Sequence, residues 1–197
     1  MIRHGEVKNP KNIEYVRLPG FGLSAVGIKQ CQDLRIKLAK ENIVMIFSSP
    51  LERATQSAKI ISNNKIPIEI LDEITEANYT RWEGLNRNKR PKKELDGYKN
   101  DPVRYSEILG ESLIKVQKRV VDKIEEIIKI YKGKTVAMVF HADPIITAML
   151  HYQNKPISDL MKIELKHASV TSIIFDDELK CEEVKYMEYV KAKDWRK

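Results

Sequence analysis

The chain has 197 residues, 42% hydrophobic and 32% charged, which suits one well-buried domain (residues 1–197) and is short for two. Its formal net charge of +7 favours anionic partners without choosing among phosphorylated metabolites, nucleic acid and membrane surfaces. No apolar run approaches the ~20 residues a bilayer span needs, and no basic-then-apolar leader opens the chain, so a cytoplasmic protein with no membrane partner is expected.

Near the amino terminus, Ile2-Arg3-His4-Gly5-Glu6 places a histidine between an arginine and a glycine. Arginine offers a planar fork of donors for phosphate oxygens, histidine changes charge near neutral pH, and glycine admits a ligand close to the backbone. Residues 7–22 are rich in Asn, Pro and Gly without a period and read as a loop over His4. Ser24 is placed as the cap of a helix to about Glu41, with Gly27, Cys31, Leu34 and Leu38 on one face. Residues 43–47 are nearly all apolar, as in a strand buried on both faces.

Ser48-Ser49-Pro50 announces the next helix, over 51–61, and puts Arg53 in its first turn at the carboxyl end of that strand. A short strand follows at 68–71. Residues 74–84 are patternless and carry Glu76, a candidate general acid, and Trp82. The basic run 87–93 contains a proline and no interleaved aromatic residue. It is read as a solvated loop, and nucleic-acid binding is not expected. Helical character resumes near Asp101, and Gly110-Glu111-Ser112 opens the longest helix, to Tyr131.

Residues 135–140 form a second apolar strand delivering His141, and a helix over 145–152 follows Pro144. A short helix near Ser158, strands at 162–165 and 169–175, and a poorly patterned tail at 176–197 complete the reading. Cys31 and Cys181 have neither metal-ligand nor redox spacing, so reduced structural thiols are expected and zinc is not.

Alternating strands and helices predict an α/β three-layer sandwich, a mostly parallel sheet between helices that binds ligands outside the strands' carboxyl ends. Arg3, His4, Arg53 and His141 all fall there. With no phosphate-binding glycine loop and no acidic metal cluster in the sequence, phosphoryl chemistry on a histidine nucleophile without metal is the expected activity.

These motifs, in order, resemble the histidine phosphatase superfamily, the phosphoglycerate mutase-like proteins. They are Arg3-His4-Gly5-Glu6, Leu23-Ser24 with Gly27 and Gln30, Ser48 through Ala58 around Arg53, Glu76 before Trp82-Glu83-Gly84, Gly110-Glu111-Ser112, and His141-Ala142-Asp143-Pro144. The resemblance implies His4 as nucleophile, Arg3, Arg53 and His141 (the last as imidazolium) as the phosphate pocket, and Glu76 as proton donor. It implies a small phosphorylated substrate and no cofactor, and leaves a homodimer open. Phosphatase is favoured over a cofactor-dependent mutase, with a non-catalytic phospholigand-binding protein as the remaining alternative.

Three positions depart from the resembled pattern. Pro10 stands where the family commonly has a phosphate-binding asparagine, making Asn9 its substitute; Thr80 and Ala142 replace usual glycines. Arg17 joins the candidate substrate contacts from the loop. The variable segments 7–22 and 77–106 are expected to set specificity, the basic run hinting at an acidic or multiply phosphorylated substrate. The strand before Arg3 holds only Met1 and Ile2, so unpaired backbone groups, and a start upstream or a weak terminus, are expected there.

Overall fold

A computed structural model describes residues 1–188. Among these residues six strands form one sheet: β1 (Ile2–Arg3), β2 (Ile43–Ser48), β3 (Ile68–Ile70), β4 (Thr135–Phe140), β5 (Val170–Phe175) and β6 (Cys181–Met187). Their order is β3-β2-β4-β1-β5-β6, with β1 to β4 parallel, β5 antiparallel to β1, and β6 antiparallel to β5. The helices are α1 (Ala25–Leu38), α2 (Glu52–Ser62), α3 (Lys92–Asn100), α4 (Pro102–Leu109), α5 (Leu113–Ile130) and α6 (Ala142–Tyr152).

Strand alternation divides the core in two. Ile46, Ala137 and Val139 face Cys31 and Leu34 of α1 and Ala54, Ala58 and Ile61 of α2. Phe47, Met138 and Phe140 face Val116, Val120 and Ile124 of α5 and Ile145 and Met149 of α6. Because side chains alternate at each residue, both faces must be apolar, which is why β2 and β4 read as continuous hydrophobic runs. Strand ends β1, β2 and β4 thereby lie side by side.

The two-residue β1 is better paired than its length suggests. The Met1 α-amino group donates to Thr171 O at 2.8 Å, Thr171 N to Met1 O at 2.8 Å, Arg3 N to Ser169 O at 3.1 Å and His4 N to Phe140 O at 3.0 Å. The unpaired groups expected there are absent among the described residues, because the strand lies between β4 and β5 rather than at an edge.

Three further expectations change. No strand forms at 162–165: a 3-10 helix covers Ile157–Lys162, and the backbone after it bends, with Ala168 at φ +54°, to bring Leu165 O to Arg3. The basic run is not all loop, since its lysines open α3, whose buried contribution is Tyr98 alone, too little to create a helical period. The tail contains β6, an edge strand whose charged side chains hid it in the sequence while protecting the edge from other chains. Residues 189–197 of that tail lie outside the described residues. Among the described residues no helix is long and apolar enough to cross a membrane.

Candidate active site

His4 follows β1, His141 follows the adjacent β4, and Arg53 opens α2 after β2, so the site is assembled from three neighbouring strand ends. The imidazole centroids of His4 and His141 are 5.2 Å apart, and both side chains are buried. His4 Nδ1 lies 2.7 Å from Gly5 O. A carbonyl only accepts, so Nδ1 carries the proton and Nε2 keeps its lone pair. Burial first, then the Arg53 and Arg3 charges, hold the His4 pKa well below its ordinary value, so the ring is neutral.

Close backbone packing fixes this loop. A Cβ on Gly5 would meet Gly27 O at 2.6 Å, and one on Gly27 would meet Glu6 O at 2.1 Å, so the start of α1 rests directly on the loop. Ser24 Oγ caps α1 by accepting from Gly27 N at 3.0 Å and donates to Glu6 Oε1 at 2.7 Å. Gly5 N donates to Ser57 Oγ at 3.0 Å, which ties the nucleophile's neighbour to α2. Ser49 and Pro50 precede α2 rather than starting it. The Ser49 hydroxyl instead meets His141 Nε2 at 2.8 Å and accepts from Leu51 N at 3.3 Å.

Arg53, only 1% exposed, donates through Nη2 to Val16 O at 2.7 Å and lies 4.7 Å over the Tyr15 ring. Arg3 donates to Leu165 O and, at 3.1 Å, to His167 Nε2. Arg3 Nε, Arg53 Nε and His141 Nδ1 are buried with no protein partner among the described residues. Buried donors left this way are costly unless a bound group completes them, and guanidinium nitrogens suit phosphate oxygens. Burial and the Arg53 charge push His141 well below the ordinary histidine pKa, so its protein surroundings keep it neutral rather than the imidazolium expected.

Glu76 sits, half-buried, on the loop after β3. Burial, with the charge of Asp143 next, raises its pKa to about 7, against the opposing pull of Arg53, its bond from Ala77 N, and Arg3. Its Oε1 accepts from Ala77 N at 2.9 Å. Arg17 is not turned to a ligand but to this loop: Nε donates to Glu76 O at 2.7 Å and Nη2 to Glu111 Oε2 at 2.8 Å. Asn9 closes its own loop, bonding Ile13 O at 2.8 Å and Ile13 N at 2.9 Å through its amide. Among the described residues no three His, Cys, Asp or Glu side chains converge as metal donors.

Several site residues escaped the sequence reading. His167 lies 5.5 Å from the His4 ring, centroid to centroid, and is held near pKa 3 by burial, Arg3 and Arg87. The signal was scarcity: the chain has only four histidines, and three converge. Asp143, two residues after His141, accepts from Tyr79 Oη at 2.9 Å and Tyr98 Oη at 3.2 Å. Tyr98 was invisible because α3 was.

A neutral nucleophilic nitrogen among guanidinium donors, faced by a carboxyl group that still holds its proton near neutrality, is the equipment of a phosphoryl-transfer enzyme. The chain belongs to the histidine phosphatase superfamily (branch 1), whose sequence model matches residues 1–185. It is 33% identical to an uncharacterized protein of Mycobacterium tuberculosis across 89% of each chain. It is 31% identical to phosphoserine phosphatase 1 of Hydrogenobacter thermophilus, over 74% of this chain and 71% of that protein. The solved structure of Bacillus stearothermophilus YhfR superposes with a TM-score of 0.84 at 24% identity, covering 97% of this chain and 94% of that one. The protein is a phosphomonoester hydrolase of the histidine phosphatase type.

Proposed function

We propose that the chain hydrolyses a small phosphomonoester in two in-line displacements at His4 Nε2. In the first, Nε2 bonds to phosphorus as the ester P–O bond breaks, and Glu76 gives its proton to the departing alkoxide. In the second, the Glu76 carboxylate takes a proton from water, the water oxygen bonds to phosphorus, the N–P bond breaks and phosphate leaves. Arg3, Arg53 and His141 hold the non-bridging oxygens, and the dianion's charge favours a proton on His141 that the protein alone does not. Arg17 positions the Glu76 loop, and Asn9 has no part in the phosphate seat.

The observation that carries this reading is the Gly5 carbonyl on His4 Nδ1, which leaves Nε2 as a free nucleophile beside three unpartnered donors. Substrate labelled in its phosphoryl group should yield an acid-labile, base-stable phosphoenzyme that His4→Ala lacks. A labelled His4→Ala protein would sink the assignment. Turnover should persist in a chelator, since no cluster of metal donors is formed among the described residues. Inorganic phosphate should appear without a bisphosphorylated cofactor; accumulation of an isomer instead would make the chain a mutase.

A further inference from the structure

Beside the phosphate seat lies a cavity of about 270 Å³ that shares Arg3 with it and is otherwise lined by Tyr98, Asp143, Ile146, Leu160 and Ile163, among others. Sharing Arg3 places the cavity where the alcohol of a phosphomonoester extends once its phosphate is seated. Its volume lies just below the roughly 300 to 1,000 Å³ typical of small-molecule pockets, so the alcohol has few heavy atoms. The walls are apolar apart from a small set of polar groups, and the charges among those groups decide what fits.

Arg3 has two of its nitrogens engaged, on Leu165 O and His167. In the nearby basic run, Arg90 Nη1 pairs with Glu14 at 2.8 Å, while Arg87 Nε lies 3.4 Å from the same carboxylate, buried and without a hydrogen bond among the described residues. Asp143 is different. Tyr79 and Tyr98 both hold its Oδ2, and the two phenol oxygens lie 2.9 Å apart, which fixes the orientation of the carboxylate. Its Oδ1 accepts from no protein group among the described residues and is not sealed from solvent. A half-buried carboxylate with one oxygen clamped and the other open is a built acceptor, and a charged donor makes a bond roughly twice as strong as a neutral one.

We propose that the substrate is a short amino-alcohol phosphomonoester whose ammonium group is bound by Asp143 Oδ1, with the carbon chain against Ile146, Leu160 and Ile163. This deepens the phosphohydrolase reading and rests on it. A leaving group ending in a carboxylate meets the Asp143 carboxylate and, on the same cavity wall, Glu164, which pairs with Lys166, and is disfavoured. Asp143 is thus a specificity residue, while the reacting bonds belong to His4 and Glu76.

The experiment compares kcat/KM for O-phosphoethanolamine, propyl phosphate of matching size, and phosphoglycolate. The ammonium ester should exceed the propyl ester by about tenfold or more, the difference one good charge-assisted contact makes. Asp143→Asn should bring that ratio to about one, with circular dichroism reporting that the variant is folded. A wild-type ratio near one, or a ratio unmoved in Asp143→Asn, overturns the proposal. Calorimetric binding to His4→Ala gives a second reading that needs neither turnover nor the Asp143 variant. There O-phosphoethanolamine should bind about tenfold tighter than propyl phosphate, and equal affinities overturn the assignment. Failure to release phosphate even from p-nitrophenyl phosphate refutes the hydrolase reading separately, and the binding comparison still decides the amine preference.

Discussion

At the scale of one residue, Glu76 must hold a proton when the ester leaves, although two arginines lie close. Burial outweighs them and lifts its pKa from 4.5 to about 7, so the acid form persists to neutrality in the fold. For alkyl esters, kcat/KM should therefore fall as pH rises through about 7. His4 should add no acid limb in the ordinary histidine range, because it is neutral well below it. Aryl phosphates leave without a proton, so Glu76→Gln should cost alkyl esters on the order of 10² to 10⁴ in rate, cost aryl esters far less, and erase the alkaline limb. Equal losses for both esters would leave Glu76 without its acid role. Stability carries the opposite mark of the same shift: a carboxyl whose pKa is raised on folding favours the fold while protonated, and that support is withdrawn between pH 4.5 and about 7. Above pH 7 the Glu76→Gln protein should melt higher than wild type, and the gap should close below pH 4.5.

The elements around Glu76 explain how an irregular loop holds a catalytic carboxyl still. Glu111, just before α5, accepts from Arg17 Nη2 at 2.8 Å, Arg119 Nε at 3.0 Å and Asn78 N at 2.8 Å, while Arg17 and Arg119 also reach Glu76 O at 2.7 and 3.4 Å. Glu111→Ala would leave two partly covered guanidinium groups without their anion, at a cost of about 1–3 kcal/mol. Alkyl-ester turnover should fall while aryl turnover changes little, and a uniform loss for both esters would mean Glu111 serves only the fold. This network was not legible in the sequence, because Arg17, Asn78, Glu111 and Arg119 carry no shared spacing and meet only after α5 packs on the sheet. The opposite holds for His4, Arg53 and His141, each of which directly follows an apolar strand or opens the next helix, so local pattern alone placed them on one edge. Elements that bury little, such as α3 with Tyr98 and the charged β6, gave no period to read. The residues they bring or hide, Tyr98 and with it the clamp on Asp143, were lost for the same reason.

Over the whole molecule, the phosphate seat concentrates positive charge where the fold offers it least solvent. Arg3 and Arg53 are pushed down from the ordinary arginine pKa by burial yet stay charged, and three of the unpartnered buried atoms, Arg3 Nε, Arg53 Nε and His141 Nδ1, come from β1, α2 and the start of α6. Helices α2 and α6 cover opposite faces of the sheet, so an anion bonded to all three joins both layers through the strand ends. Such a ligand binds the folded chain and not the unfolded one, and at a hundredfold excess over its dissociation constant it adds about 2.7 kcal/mol. For a chain of this length each kcal/mol raises the melting temperature by about 2–4 °C, so inorganic phosphate should raise it by roughly 5 to 10 °C. Arg53→Ala should melt at nearly the same temperature with and without phosphate, because the anion then loses a buried, permanently charged partner. A wild-type midpoint that stays put as phosphate reaches tens of millimolar, or a variant that climbs equally far, would deny that these three atoms form the seat of the anion.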